Sequence, residues 1–341
     1  GTFTDYKSLY LSNCSSNGGG VWSFSAASAT STDCNFYGNA AKSKGGVATL
    51  SESAVANITG SELKMNGRCQ VIDHSLIKNE SLSGTWDDFK SKVIEFATGD
   101  TPLMPFLQMV LMAPFAGFGT IQDVVESFKD APILSKVEPG WVTARGGVFD
   151  FYQDAGIIVS ASQMTSNVAL SGSVVDCSSA RKIPSTFAGV VLAQNEAVKV
   201  DSEEGTGESS IRLLDCYFKL ATVQMHGNIA PEKTSGIFLN ASEIEIAKST
   251  FSDQGGDELV GFLYVGIDSV VTIAESTFSK GHGNLGGAIY LNGASKFSVT
   301  KSTFTNNSAV SRGGAIYSLQ TGEIQIQDTC TFSKKTAIQN G

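Results

Sequence analysis

The feature that most constrains this chain is an internal repeat of about 27 residues, read before any single motif because repeats decide the architecture. Ser276-Thr277-Phe278 leads to Gly286-Gly287-Ala288-Ile289-Tyr290, and Ser302-Thr303-Phe304 leads to Gly313-Gly314-Ala315-Ile316-Tyr317. The glycine pairs lie 27 apart (314 − 287), and Phe251, Phe278, Phe304 and Phe332 step by 27, 26 and 28. Gly20-Val21-Trp22 and Gly46-Val47-Ala48 repeat the theme 26 apart (46 − 20), with Cys34-Asn35-Phe36 between them. Leu76, Met164 and Phe218 read as the Phe-position residues of more divergent repeats.

Within a repeat the apolar residues alternate, as in Phe297/Val299, Ile244/Ile246 and Ile324/Ile326. A period of two is a strand with one face on a core. Three short strands cannot bury that face alone, so successive repeats must stack and share a continuous interior. The expected fold is all-β: a right-handed parallel β-helix of about 27 residues per coil, rising about 4.8 Å each. A propeller would need about 40–50 residues per blade. Asn39, Asn79, Asn167 and Asn307 fall three residues beyond the Phe position and are expected to stack as an inward amide ladder. Ordinary turn asparagine is the competing explanation.

The expected organisation is coils over residues 1–83, a partly helical insertion over 84–145, and the same solenoid continuing over 146–341. In the insertion, Thr85 and Thr120 are placed to cap helices. Between them, residues 102–118 form an apolar, Met- and Phe-rich run. Its length of 17 and its internal Pro105 and Pro114 argue against a membrane span, so no transmembrane segment is expected in this stretch. A side domain packed on the coil is the first reading, and an adaptable partner-binding surface the second. Gly1 reads as the middle of a repeat and Gly341 as an interruption of one, so a longer parent chain is expected.

A net charge of −9 without any basic run argues against a nucleic-acid partner. Six Cys match no zinc spacing, three scattered His form no cluster, and neither cofactor nor metal is expected. The cysteines with five Asn-x-Ser/Thr sequons point to a secretory route and an extracellular or cell-surface location. Cys14–Cys34 and Cys177–Cys216 are the expected disulfides, although free buried thiols would fit the same slots. Asn13, Asn57, Asn240 and Asn306 are the candidate glycan acceptors, whereas Asn79 is claimed by the ladder.

The pairing of Gly-Gly-Ala-Ile with Phe-x-x-Asn, as from Phe304 to Ile316, resembles the repeats of chlamydial polymorphic outer-membrane proteins. It also resembles the pectin-lyase-like β-helix repeats of large protist surface proteins. The resemblance covers residues 1–82 and 235–341 clearly and 146–234 more distantly. It implies a surface-exposed β-helical module, structural or adhesive, with protein partners, self-association along a fibre or surface, or glycans as its contacts. The chain shows no transmembrane β-barrel pattern, so autotransport is not implied.

A polysaccharide lyase or hydrolase is the alternative, because that chemistry needs paired carboxylates and a basic group. Asp150, Asp154, Asp176, Asp201 and Asp215 point outward by strand alternation, but in different repeats and beside no repeated Arg or Lys. They read as a solvated face, and no catalytic residue is assigned.

Overall fold

The computed structural model describes residues 1–11, 13–16, 18–69, 142–199, 207–254, 259–293, 295–319 and 322–337. The expected insertion at 84–145 falls almost wholly outside them, as do Leu76 and Asn79. The described residues form one parallel β-helix without α-helix. Its strands collect into sheets of 17 and 12 strands and two sheets of two, and every pairing between named strands is parallel. The larger sheet makes two faces of the coil. They merge where the long strands Val175–Ala188 and Ile211–Ala221 run from one face onto the next.

At Gly19-Gly20, Gly45-Gly46, Gly146-Gly147, Gly286-Gly287 and Gly313-Gly314 two glycines turn one corner of the coil, for different reasons. The first of each pair has a left-handed φ, +63° at Gly146 and +79° at Gly286, which glycine adopts without a Cβ clash. The second has no room for a side chain. A Cβ on Gly46 would lie 2.0 Å from the Gly147 carbonyl oxygen, and one on Gly287 would lie 2.2 Å from that of Gly314. Coil-to-coil backbone contact therefore writes Gly-Gly into the sequence.

The interior column on the third face runs Tyr10, Phe36, Leu63, Met164, Leu192, Met225, Phe251, Phe278, Phe304, Phe332. Phe251, Phe278, Phe304 and Phe332 stack with ring centroids 4.7, 5.0 and 4.8 Å apart, the spacing of neighbouring strands. Two expected members are corrected. The position expected for Leu76 belongs to Leu63, which pairs with Phe36 on one side and Met164 on the other. Phe218 lies on another face, in register with Ile244, and Met225 takes its place. The cysteine two residues before Phe218 imitates Cys34 before Phe36, but Phe218 sits inside the strand Ile211–Ala221, one face early.

The coil continues through Cys69 and is rejoined at Val142, which bridges Arg68. Phe149–Tyr152 then pairs directly with Ala48–Ser51, so the strands stay in order across the intervening residues.

Candidate functional site

Three sets of polar side chains recur from coil to coil: an asparagine ladder, a serine ladder, and a charged line on an outer face.

The asparagine ladder runs Asn13, Asn39, Asn66, Asn167, Asn195, Asn228, and resumes at Asn307. Each buried Oδ1 accepts the backbone N–H of the equivalent residue one coil earlier, at 3.0 Å for Asn39 to Asn66 and 2.9 Å for Asn66 to Asn167. Each Nδ2 donates to the carbonyl of a column residue in the preceding coil, as Asn167 does to Leu63 and Asn307 to Phe278. Of the expected members, Asn39, Asn167 and Asn307 occupy these positions and are buried. Asn66, Asn195 and Asn228 were missed, although each stands three residues beyond a column residue, Leu63, Leu192 or Met225. The glycan candidate Asn13 is the first rung, its Nδ2 donating to Asn39 Oδ1 at 2.7 Å. The rungs break at Gln254, whose buried amide makes no hydrogen bond among the described residues, and at Gly281.

Two residues before the column runs a hydroxyl ladder. The oxygens of Ser61, Ser162, Ser249, Ser276 and Ser302 each accept a backbone N–H from the coil before. Cys34 occupies this row as a free thiol, its Sγ accepting Ser8 N–H at 3.3 Å. The expected Cys14–Cys34 disulfide is therefore corrected: Cys14 is bonded to Cys69, with Cα atoms 5.8 Å apart. Cys14 follows the asparagine ladder while Cys34 precedes the column, so the two sit at different corners. Cys177 and Cys216, on neighbouring strands, are bonded to each other with Cα atoms 6.4 Å apart.

The charged line is the strongest chemical feature. One outward column runs in register through Thr49, Asp150, Asp176, Arg212, Phe238, Tyr264, Tyr290 and Tyr317. A solvated face was expected here, and for Asp150 and Asp176 that is wrong, since they are 1% and 0% exposed. A second line of backbone covers them, in which Lys44, Arg145 and Ser171 are joined by parallel bridges. Ser171 donates to Asp176 at 2.9 Å, Arg212 reaches both oxygens of Asp176 at 3.3 Å, and Arg145 faces Asp150 at 3.2 Å. Glu208 bridges Arg212 at 2.8 Å and Lys233 at 2.7 Å. The Lys233 ammonium in turn lies 4.6 Å from the Phe238 ring centre, where the aromatic half of the column begins. The sequence held a signal for this arrangement: Thr49, Asp150, Asp176 and Phe238 each follow their covering partner Lys44, Arg145, Ser171 or Lys233 by five residues.

Both oxygens of Asp150 are buried and make no hydrogen bond among the described residues. Burial pushes its carboxyl up to about 7, Arg145 opposing and neighbouring Asp176 adding to the rise. Burial also raises Asp176, against Arg212 and Arg145. Burial works against the Arg212 charge, but Asp176 and Glu208 outweigh it and hold the guanidinium charged. The two aspartates are sealed, while Arg145, Arg212 and Lys233 stay partly exposed above them, and the Arg212–Asp176 and Lys233–Glu208 pairs tie neighbouring coils to one another.

The stretch from Lys301 through Phe304 and Asn307 to Gly313 and Gly314 thus carries the elements that build a coil: serine row, column, ladder and corner. Residues 301–319 match the Chlamydia polymorphic membrane protein repeat. The match covers part of one turn, and the same column positions recur along the described coil. No curated protein matches the chain. Among solved structures, the periplasmic alginate epimerase AlgG aligns over 90% of this chain and 70% of its own, at 9% identity and a TM-score of 0.28. Likeness at that level carries no argument.

The remaining outward acids are exposed or surface-paired. Lys182 meets Asp154 at 2.5 Å, Arg181 pairs with Asp215, and Asp201 lies outside the described residues. A shallow recess lined in part by Thr272, Lys296, Ser298, Glu323 and Gln325 holds one carboxylate, where glycoside hydrolysis needs two. Among the described residues no three acids, His or Cys converge on a cation position, and no helix is long and apolar enough to cross a membrane. Of the other glycan candidates, Asn57 is half-buried and points outward between Thr30 and Ile158, Asn240 is also half-buried, and Asn306 is exposed.

Proposed function

We propose that this chain is a structural or adhesive module of a secreted or cell-surface protein. The observation that carries the reading is that its convergent acidic and basic side chains are engaged with one another, Arg212–Asp176 and Lys233–Glu208 between neighbouring coils and Arg145–Asp150 and Arg212–Glu208 within one. The polymorphic membrane protein repeat at 301–319 supports a surface location, and two disulfides support an oxidising compartment. A stiff solenoid of this kind presents long flat faces of Thr, Ser, Gln and Lys, suited to contacts spread over many coils.

A polysaccharide lyase or hydrolase is the second reading. It rests on Asp150, whose near-neutral carboxyl beside two arginines is a combination that acid–base chemistry uses. The test is to incubate the chain with alginate, polygalacturonate and pectin, with and without Ca²⁺, and to measure chain cleavage and unsaturated product. In parallel, retention on glycan arrays and cell surfaces is measured. Binding without turnover is the expected result. Turnover that Asp150→Asn abolishes would replace the structural reading with the enzymatic one.

A further inference from the structure

We propose that Asn306 and Asn57 are the N-glycan acceptors of the described coil, and that Asn13 and Asn240 are sequons the fold withholds. This rests on the secretory reading above. The four share the Asn-x-Ser/Thr pattern, so the sequence cannot rank them, but the coil treats them differently. A sugar can persist only where the folded chain leaves the amide nitrogen free and the space beyond it open.

Asn306 meets both conditions. It is exposed, at the turn after the strand Thr303–Thr305, with a left-handed φ of +55°. Its backbone N–H is used, donating to Ser333, while its side chain bonds to none of the described residues. The next residue, Asn307, takes the buried ladder position, so the turn itself directs Asn306 outward. The sequon hydroxyl, Ser308, lies at the surface against His282 Nδ1 at 2.9 Å.

Asn57 stands mid-strand between buried Ala56 and Ile58, so alternation turns it outward. Its lateral neighbours are Thr30 and Ile158, the latter 41% exposed, and neither bonds its amide.

The other two fail in different ways, Asn13 because its amide is hydrogen-bonded and Asn240 because its side chain is crowded against the next coil. Asn13 donates Nδ2 to Asn39 Oδ1 at 2.7 Å and its backbone N–H to the same oxygen at 3.1 Å. A sugar on that nitrogen would stand where the first rung closes. Asn240 folds over the next coil, and its Oδ1 fills the space beside Gly266, 2.4 Å from where a Cβ would be.

In the modification, the acceptor Nδ2 forms a bond to C1 of an oligosaccharide carried on a lipid diphosphate. The C1–O bond to that phosphate breaks, the lipid diphosphate leaves, and the amide loses one proton to the transferase. Transfer onto an extending chain is open to every sequon, so the fold selects through which glycosylated chains complete their coils.

The experiment expresses the full chain behind a cleavable signal peptide in a eukaryotic secretory host and recovers the secreted, disulfide-bonded protein. Endoglycosidase release in heavy-oxygen water marks each formerly glycosylated Asn as labelled Asp for peptide mass spectrometry. Occupancy at Asn306 and Asn57 is expected to exceed that at Asn13 and Asn240 at least several-fold, with Asn306→Gln and Asn57→Gln each removing one glycan. Equal or greater occupancy at Asn13 overturns the ranking. Secreted, folded protein without sugar at Asn306 and Asn57 overturns the proposal while leaving the surface reading intact. Glycosylated but cell-retained protein lacking its disulfides would instead count against the surface reading.

Discussion

Asp150 is the register partner of Asp176 on the adjoining coil, and both carboxyls are sealed beneath the backbone line that carries Arg145 and Ser171. A carboxyl raised from 3.8 to about 7 binds its proton more tightly in the folded chain than in the unfolded one. Its stability contribution is therefore full below about pH 4 and is lost as pH rises through about 7. The charges facing it, Arg145, Asp176, Lys44 and Arg212, set the size of the loss. That loss is roughly 4 kcal/mol at most. Urea midpoints should be higher at pH 5.5 than at pH 8.5, and Asp150→Asn should remove most of the difference. An unchanged pH profile in that variant would remove Asp150 as the cause.

Asn167 serves four hydrogen bonds within its ladder. It accepts from the backbone and side chain of Asn66 and donates to Leu63 and Asn195. Asn167→Ala leaves several buried groups unpaired and should cost roughly 3–5 kcal/mol. Asn306→Ala, on the exposed side of an equivalent turn, should cost only about 1 kcal/mol, the strain of alanine at its left-handed φ of +55°. Chemical denaturation of the two variants side by side checks the contrast.

Gln254 occupies a ladder position with a side chain one methylene too long, and its buried amide finds no hydrogen-bond partner among the described residues. Gln254→Asn should restore a rung toward Asn228 and raise stability by about 1 kcal/mol. Calorimetry showing a lower melting temperature would mean that the gap left by the shorter side chain outweighs the recovered bonds.

Gly287→Ala forces a Cβ against the carbonyl oxygen of Gly314 and the backbone of Ser308, at 2.2 and 2.6 Å. The coils must move apart there, and a loss of more than about 3 kcal/mol is expected. At the neighbouring buried Ala288, Ala288→Gly removes one methyl and adds backbone freedom without a clash, and should cost only about 1 kcal/mol.

Alkylation of the denatured, unreduced chain should label two thiols, Cys34 and Cys330, with Cys14–Cys69 and Cys177–Cys216 protected. Cys177→Ser should cost about 2–5 kcal/mol. A peptide map linking Cys14 to Cys34 would restore the pairing expected from sequence.

The ladder, the column and the glycine corners were readable in the sequence wherever neighbouring coils repeat the same residues. Phe278 and Phe304 announce one another, and Gly286-Gly287 announces Gly313-Gly314. Such features are local to a coil, so each turn rewrites them. The charged line was not readable in the same way. Strand alternation correctly turned Asp150 and Asp176 outward, but outward is solvent only when nothing lies above. Whether Arg145 and Ser171 cover them depends on the path of the backbone five residues upstream.

The sequence by itself determined the parallel β-helix, because a period of two inside a period of about 27 can be satisfied only by stacked coils. Only the tertiary structure decided which residues are neighbours across the long excursion. Asn66 meets Asn167 across 101 residues of chain, and Leu63, not Leu76, meets Met164. It likewise decided that Cys14 finds Cys69. The physical reason is that side-chain periodicity fixes which way a residue faces within its own coil. Which coil lies above it depends on where the backbone leaves the stack and where it returns.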